Sequence, residues 1–348
     1  MNNNVKIMDV TLRDGSYANN FQFSCADQKM ITSSLEKLGL PLIEIGHGMG
    51  LGASSPKNGI ALHTDEEYLQ MAQKTLHKAK YGMFCIPGIA SLEDIDMAAE
   101  YGVGFLRIGT NVDEVKSSKP YIERAKQHGI YVMTNYMKSY AVSPEFFAEQ
   151  MKYSIDYGAD AVYLVDSAGS MMPEQIEAYY EEIRKHSDIS LGFHGHDNLG
   201  LALWNSFKAA ELGFEYIDCS LQGMGRSSGN TSTELFSICA KKRGYNIDID
   251  VHKLLEVSKK FVYPMHPRMN SIDIMCGVTG FHTSYLRAIH KVAGKYGVNP
   301  LLLMEKYTQY DQINMNIEKL EQIAKQLPED VESMVIADFS GYFGNEQG

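Results

Sequence analysis

The chain has 348 residues, 44% of them hydrophobic and 22% charged, a length and composition that fit a globular protein with one large α/β barrel or two ordinary domains. The formal net charge of −11 argues against a nucleic-acid-binding surface. There is no signal peptide, no apolar run long enough to span a bilayer and no CxxC pair among the five cysteines, so we expect a cytoplasmic protein with free thiols and no membrane contact.

Short apolar segments alternate with amphipathic segments from residue 6 to residue 244. The predicted strands are 6–13, 42–47, 81–86, 105–110, 130–136, 161–166, 190–196 and 216–221. Each precedes a predicted helix, and these helices are 26–39, 64–79, 91–101, 114–128, 143–157, 172–186, 200–212 and 231–243. Eight strand–helix units in this order predict a (β/α)8 TIM barrel. A doubly wound sheet is the alternative, but it would carry a Gly-rich phosphate turn after the first strand, which is missing.

The rhythm of strands and helices stops after the eighth unit. We therefore assign residues 1–245 to a TIM-barrel catalytic domain and residues 246–348 to a mostly helical C-terminal region packed on the barrel. Helices are predicted there at 251–260, 278–295, 299–306 and 314–326.

Two histidines separated by one residue end the seventh predicted strand. Alternate side chains of a strand point to the same side, so His194 and His196 face one space. Two histidines and one carboxylate form the ligand set of divalent-metal sites with open positions, and Asp14 is the candidate carboxylate. A lone HxH pair is often structural, but Asp14 lies at the matching end of the barrel, which favours ligation. Asn230 is a further candidate ligand, or a cap of the eighth helix.

Other chemically apt side chains fall at the same end of the predicted barrel. Arg13 is a fixed cation for an anionic substrate, and a salt bridge with Glu44 would hold its guanidinium in place. Arg107 and Ser167 are further candidates for substrate binding. Asp166 either supports the site from behind the ligands or caps the sixth helix.

Six stretches of the chain carry a resemblance to a known family. They are DVTLRDG (9–15), IEIGHGMGLGASS (43–55), IPGIAS (86–91), VYLVDSAG (162–169), HGHDNLGLALWNS (194–206) and GMGRSSGN (223–230). The chain resembles the pyruvate-dependent aldolases of the 4-hydroxy-2-oxovalerate aldolase type, within the superfamily of hydroxymethylglutaryl-CoA lyase and isopropylmalate synthase. The second stretch is more specific to the aldolases than the others.

The resemblance implies a divalent metal ion on Asp14, His194 and His196. Mn²⁺ is expected, with Mg²⁺ or Co²⁺ as alternatives, since oxygen and imidazole ligands with open positions suit these ions. It also implies a 2-oxo acid and an aldehyde as substrates, with Arg13 stabilising the pyruvate enolate. The stretch 278–300 resembles the region with which the family binds an acylating aldehyde dehydrogenase, and a homo-oligomer is expected.

Two positions depart from the family pattern. Tyr17 stands where the aldolases carry a catalytic histidine, and His282 aligns with a functional tyrosine of the C-terminal helical region. If both side chains reach the metal, a phenol and an imidazole persist with exchanged catalytic roles. Otherwise the usual proton relay is missing, Tyr17 packs over the barrel mouth and His282 caps a helix.

These observations predict a metal-dependent class II aldolase or lyase that makes or breaks a carbon–carbon bond between a pyruvate enolate and an aldehyde. The alternatives are a Claisen-type acyl-CoA synthase or lyase of the same superfamily, a non-catalytic partner of an aldehyde dehydrogenase, and a non-haem iron oxygenase. The two histidines and the acid argue against the partner, and the barrel rhythm argues against the oxygenase.

Overall fold

The computed structural model describes residues 5–266, 271–281, 285–311 and 314–334. The chain divides into two compact units, Met1–Ile249 and Asp250–Gly348. The boundary predicted at 245/246 lies a few residues before this division.

Eight parallel strands form a closed barrel in chain order, and the first strand pairs with both the second and the eighth. The strands are β1 (Lys6–Asp9), β2 (Leu42–Ile45), β3 (Lys80–Cys85), β4 (Phe105–Asn111), β5 (Tyr131–Met137), β6 (Ala161–Asp166), β7 (Ser190–Gly195) and β8 (Tyr216–Cys219). The predicted TIM barrel is therefore confirmed. The first strand is shorter than predicted because the backbone turns at Val10, whose carbonyl accepts the N–H groups of both Arg13 and Gly15.

Eight helices follow the strands of the barrel. They are α1 (Cys25–Lys37), α2 (Asp65–Thr75), α3 (Leu92–Glu100), α4 (Lys119–Gln127), α5 (Pro144–Asp156), α6 (Pro173–Arg184), α7 (Ala202–Leu212) and α8 (Thr233–Lys242). Ser24, Thr64 and Ser91 begin the first three helices with reciprocal capping boxes, in which the residue three positions on is acidic. The fourth helix starts later than predicted because Val115–Ser118 form a 3₁₀ turn.

The barrel interior is layered by strand periodicity. Leu42, Phe105, Met133 and Tyr216 belong to an apolar cluster inside the barrel. The residue two positions later on each of these strands also faces inward, because side chains alternate along a strand. These four later residues are Glu44, Arg107, Asn135 and Asp218, and all are buried. A polar layer therefore lies directly above the apolar one, toward the carboxyl ends of the strands.

The C-terminal unit is helical, as predicted. Its helices are α9 (Val251–Phe261), α10 (Ser271–Thr279), α11 (Leu286–Tyr296), α12 (Pro300–Thr308) and α13 (Ile317–Ala324). The single helix predicted at 278–295 is wrong, because α10 ends before Gly280, whose φ of 72° is left-handed, and α11 begins at Leu286. Across both units, every helix in the described residues falls short of the length and apolar character that a membrane span requires.

Candidate metal centre

Asp14, His194 and His196 come together at the carboxyl end of the barrel. Asp14 begins a 3₁₀ turn after β1, His194 lies in β7 and His196 follows that strand. One potential ligand atom from each residue lies within 4.8 Å of the other two, and all three residues are buried. The arrangement predicted from the HxH pair and the acid is therefore present in the structure.

Hydrogen bonds on the far side of each imidazole orient both histidines. Nδ1 of His194 lies 2.8 Å from Oδ2 of Asp218, and Nδ1 of His196 lies 3.2 Å from the carbonyl oxygen of Gly229. Both partners are acceptors, so each Nδ1 carries the proton and each Nε2 keeps its lone pair. Such an outer hydrogen bond is the usual arrangement of a metal-binding histidine.

The carboxylate of Asp14 is held in its charged form. Burial raises its pKa, but Arg13, His196 and His194 more than offset this, so that the pKa lies well below the usual range. Its Oδ1 accepts from Nη1 of Arg13 at 2.9 Å, and its Oδ2 accepts from Nδ2 of Asn230 at 2.8 Å. Oδ2 also accepts the N–H of Arg226 at 3.3 Å, so Oδ1, which accepts one hydrogen bond, retains a lone pair for a cation.

Asn230 completes the donor set. Its Oδ1 is buried and has no hydrogen-bond partner within the part of the chain that the structure describes, although its Nδ2 is satisfied. A buried carbonyl oxygen that accepts no hydrogen bond is expected where that oxygen binds a cation, because a bound cation would satisfy it. Two imidazoles, a carboxylate and an amide oxygen fit a divalent ion that accepts mixed nitrogen and oxygen ligands.

Arg13 forms one wall of the site. Its Nε donates to Oε2 of Glu44 at 2.6 Å, its Nη1 donates to Asp14, and its guanidinium lies over the ring of Phe84, 4.7 Å from the centroid. Burial lowers the pKa of Arg13, but the charges of Glu44 and Asp14 raise it by more, so the guanidinium stays charged. The predicted contact with Glu44 fixes a cation beside the metal ligands.

Arg107 lies beneath this wall. Its Nη1 donates to the same Oε2 of Glu44 at 2.9 Å, and its Nη2 donates to Asn135 at 2.7 Å and to Asp218 at 2.5 Å. Arg13, Glu44, Arg107 and Asp218 thus form a row of alternating charge, here called the charge chain, that ends on His194. Because the hydrogen bonds of its guanidinium go to Glu44, Asn135 and Asp218, direct contact of Arg107 with substrate stays a prediction.

A cavity opens above the ligands. Its lining consists of Arg13, Asp14, Tyr17, Gly48, Phe84, Ile86, Asn135, Met137, Val165, Ser167, His194, His196 and Arg226. Tyr17 packs directly on Gly48, where a Cβ would lie 2.6 Å from its ring. Burial raises the pKa of Tyr17, so its hydroxyl remains a proton donor. Ser167 lines the cavity, and its Oγ accepts the N–H of Lys138 at 3.0 Å.

Asp166 acts on the loop before α6. Its carboxylate accepts the N–H groups of Ser170 and Met171, while its backbone carbonyl accepts the N–H of His196 at 3.2 Å. It is therefore not the N-cap of α6, whose cap is Met172, and it reaches the site through its backbone. His282 lies outside the described residues, so its pairing with Tyr17 stays a prediction.

Three residues of the site escaped the sequence reasoning. Asp218 and Asn135 could have been found from the sequence, because both are polar residues at inward positions of buried strands. A buried polar group needs a hydrogen-bond partner, which indicates a polar site. Arg226 belongs to the Gly-rich segment after β8, and the sequence alone did not indicate that its side chain lines the cavity.

Comparisons with known proteins agree with this geometry. A 4-hydroxy-2-oxovalerate aldolase of Pelotomaculum thermopropionicum is 38% identical over 305 residues, which cover 86% of this chain and 90% of the relative. An oxaloacetate decarboxylase of Mycobacterium tuberculosis is 36% identical over 294 residues, 83% of this chain and 87% of the relative.

The fold recurs in solved structures. The HMG-CoA lyase of Bacillus subtilis superposes with a TM-score of 0.67 at 20% identity and covers 79% of this chain and 98% of that one. The HMGL-like family model matches residues 4–261, which span the whole barrel. The chain belongs to the HMGL-like family.

Proposed function

We propose that this protein is a divalent-metal-dependent class II aldolase, a carbon–carbon lyase that joins or separates a pyruvate enolate and an aldehyde. The observation that carries the proposal is the fixed guanidinium of Arg13 beside Asp14, His194 and His196 in one cavity. The relatives named 4-hydroxy-2-oxovalerate aldolase support it.

The residues divide the chemistry among them. Asp14, His194, His196 and Asn230 would hold the ion, which polarises the carbonyl of a bound 2-oxo acid and makes its methyl group acidic. Arg13 supplies a guanidinium whose position is set by Glu44 and Asp14 before substrate arrives, so it stabilises negative charge on the enolate oxygen with little reorganisation.

We propose Mn²⁺ as the native ion, with Mg²⁺ or Co²⁺ as alternatives. A carboxylate and an amide oxygen favour the harder divalent ions, and the two imidazoles favour Mn²⁺ or Co²⁺ over Mg²⁺.

Tyr17 is proposed as the proton donor or acceptor at the cavity wall. Tyr17 lines the cavity and burial raises the pKa of its hydroxyl, which therefore stays protonated and can donate a hydrogen bond to an alcohol or alkoxide oxygen of the substrate. His282 remains proposed as its partner from the family resemblance.

Decarboxylation of oxaloacetate is a second candidate activity. Loss of carbon dioxide from oxaloacetate leaves the same pyruvate enolate, and a relative of 36% identity bears the name oxaloacetate decarboxylase. The Claisen-type alternative would draw its enolate from an acyl-CoA in place of pyruvate, with a 2-oxo acid as the acceptor.

Exchange of solvent deuterium into the methyl group of pyruvate tests the shared step without knowledge of the aldehyde. Mass spectrometry of pyruvate incubated in D₂O with the Mn²⁺-loaded enzyme is expected to show mass gain that chelator abolishes. Release of pyruvate from 4-hydroxy-2-oxovalerate, release of pyruvate from oxaloacetate, and consumption of an acyl-CoA in the presence of a 2-oxo acid then separate the three activities. Absence of exchange with Mn²⁺, Mg²⁺ and Co²⁺ alike would refute the proposal.

We further propose, from the resemblance alone, a homo-oligomer and an acylating aldehyde dehydrogenase as partner of the C-terminal helices. Light scattering after size exclusion measures the oligomer. Co-purification with a dehydrogenase tests the partner. It is expected to be lost when residues 250–348 are replaced by an unrelated helical sequence.

A further inference from the structure

Arg226 is tied to the metal centre by its own backbone. It belongs to the segment Gly223–Asn230 after β8, and its N–H donates to Oδ2 of Asp14 at 3.3 Å. Its guanidinium lies over the ring of Tyr17, 5.6 Å from the centroid, and it lines the cavity. The side chain therefore lines the same cavity as Asp14, His194 and His196.

The loop that carries Arg226 is held in place on both sides. Asn198 donates to Oγ of Ser227 at 2.7 Å, and the N–H of Asn230 donates to the carbonyl of Gly223 at 2.9 Å. Gly225 passes so close to Asn230 that a Cβ would lie 2.4 Å from its amide nitrogen. The backbone under Arg226 is thus fixed, while its side chain is exposed.

The guanidinium of Arg226 has no carboxylate partner among the described residues. Arg13 is paired with both Glu44 and Asp14, and Arg107 with Glu44 and Asp218. Among residues 5–266 and the other described ranges, no carboxylate forms a salt bridge with Arg226. Pyruvate brings one carboxylate, for which Arg13 and a metal ion are already available, so Arg226 is a cation in excess of what pyruvate and a neutral aldehyde would need.

We propose that Arg226 binds an anionic group on the acceptor aldehyde, so that the preferred acceptor is an aldehyde carrying a carboxylate or a phosphate. This inference rests on the proposed aldolase function and names its substrate class. The apolar part of the cavity, formed by Phe84, Ile86 and Met137, contacts the short carbon chain between the aldehyde and the anion. A guanidinium fork suits either anion through two parallel hydrogen bonds.

Matched pairs of acceptors test the proposal. Succinic semialdehyde and butanal differ in a carboxylate, and glyceraldehyde 3-phosphate and glyceraldehyde differ in a phosphate. In aldol addition to pyruvate, kcat/KM is expected to favour the anionic member of at least one pair by about 10- to 100-fold, the range for a charge-assisted hydrogen-bonded contact. The pair that shows the larger ratio identifies the anion.

Variants assign the preference to one side chain. Arg226→Gln is expected to lower the ratio of anionic to neutral kcat/KM by the same factor, whereas Arg226→Lys retains part of it because the charge remains. Lys152→Gln, which removes one exposed positive charge from α5, is expected to leave the ratio unchanged. Added salt should lower the wild-type ratio but not that of Arg226→Gln.

Three results would overturn the proposal. Equal kcat/KM within both pairs would show that no anion is recognised. An unchanged ratio in Arg226→Gln would place recognition elsewhere. If Arg226→Gln raised the KM for pyruvate in deuterium exchange and left the ratio of anionic to neutral kcat/KM unchanged, Arg226 would be assigned to pyruvate binding. Absence of exchange in the wild type is a separate result, which would refute the aldolase function itself.

Discussion

At the residue scale, the centre distinguishes ligand atoms from the groups that orient them. Each imidazole donates its Nδ1 proton to a fixed acceptor, and Asp14 accepts hydrogen bonds from Arg13 and Asn230. Ligand geometry is therefore set by the protein before an ion arrives, which predicts sharp effects of single substitutions.

Asp14→Asn and His194→Ala are each expected to lose metal binding while the barrel stays folded, because each removes a ligand charge or lone pair and leaves the core intact. Elemental analysis after reconstitution with Mn²⁺ measures bound metal, and circular dichroism measures folding. His77→Ala, which removes an exposed histidine, serves as control. Full metal occupancy in both site variants would contradict the assignment.

Arg13→Lys is expected to lower the rate of pyruvate deuterium exchange by about 10²- to 10³-fold, the usual loss for one oxyanion-stabilising donor. An ammonium cannot donate at once to Glu44 and Asp14 from the two separate nitrogens that the guanidinium uses. The rate is measured at saturating Mn²⁺, with bound metal checked in parallel. Near-normal exchange would remove Arg13 from the reaction.

Tyr17→Phe is expected to slow proton transfer while leaving the KM for pyruvate nearly intact, since the proposed metal ligands are Asp14, His194, His196 and Asn230. Deuterium exchange and aldol cleavage are compared, each with Tyr310→Phe, an exposed tyrosine, as control. If both rates in Tyr17→Phe equal those of the wild type, the ring merely packs on Gly48.

At the element scale, strand alternation builds the charge chain. On β2, Glu44 comes two residues after the core residue Leu42, and on β8, Asp218 comes two residues after Tyr216. In each strand the acid therefore faces the barrel interior, in the layer above the apolar cluster. The closed barrel brings these levels together across strands distant in sequence, and Arg107 reaches an acid on each side. Glu44, Arg107 and Asp218 lie in strands, and Arg13 lies in the turn that follows β1.

Glu44→Gln tests the chain as a structural element. The change leaves the buried guanidinium groups of Arg13 and Arg107 with one carboxylate fewer, so the free energy of unfolding is expected to fall by about 3–5 kcal/mol. Glu215→Gln breaks the partly exposed pair with Lys6 and is expected to cost less than about 1 kcal/mol. Urea unfolding measures both, and equal effects would contradict the claim.

The same scale separates what could be read from the sequence from what could not. His194 and His196 were predictable because alternation within one strand decides their direction, and the barrel followed from eight repeated units. Asp218 was not assigned to His194 and Arg107, because that contact depends on the register of strands separated by many residues. The helix that corresponds to α11 was predicted to begin at 278 instead of Leu286, because the left-handed turn at Gly280 is invisible to periodicity.

At the scale of the whole molecule, an acidic chain places two guanidinium groups in the lining of one cavity. The net charge is −11, yet Arg13 and Arg226 line one cavity with two histidines. Such local cationic charge raises the encounter rate with anionic substrates despite the overall repulsion. The anionic acceptor proposed above is the kind of ligand that this distribution favours.

A buried acid links the end of β1 to the start of α8. Asp9, at the end of β1, accepts the N–H of Thr11 at 3.0 Å and the hydroxyl of Thr233, at the start of α8, at 2.9 Å. Burial raises its pKa from 3.8 to about 6, which its hydrogen bonds with Thr11 and Thr233 only partly offset. The folded protein therefore holds a proton here that the unfolded chain releases between about pH 4 and pH 6.

The sign of this linkage gives a prediction for stability. Where the folded state binds more protons than the unfolded state, stability falls as pH rises, so Asp9 lowers the stability across this window and its full cost, about 3 kcal/mol, is present above pH 6. Asp9→Asn keeps the bond from Thr11, can donate to Thr233 and carries no charge. Its stability relative to the wild type is expected to rise from pH 4 to pH 7, measured by urea unfolding at both values. Asp188→Asn, at an exposed position, provides the comparison, and a difference between Asp9→Asn and the wild type that does not change with pH would show that the buried carboxyl is ionised throughout.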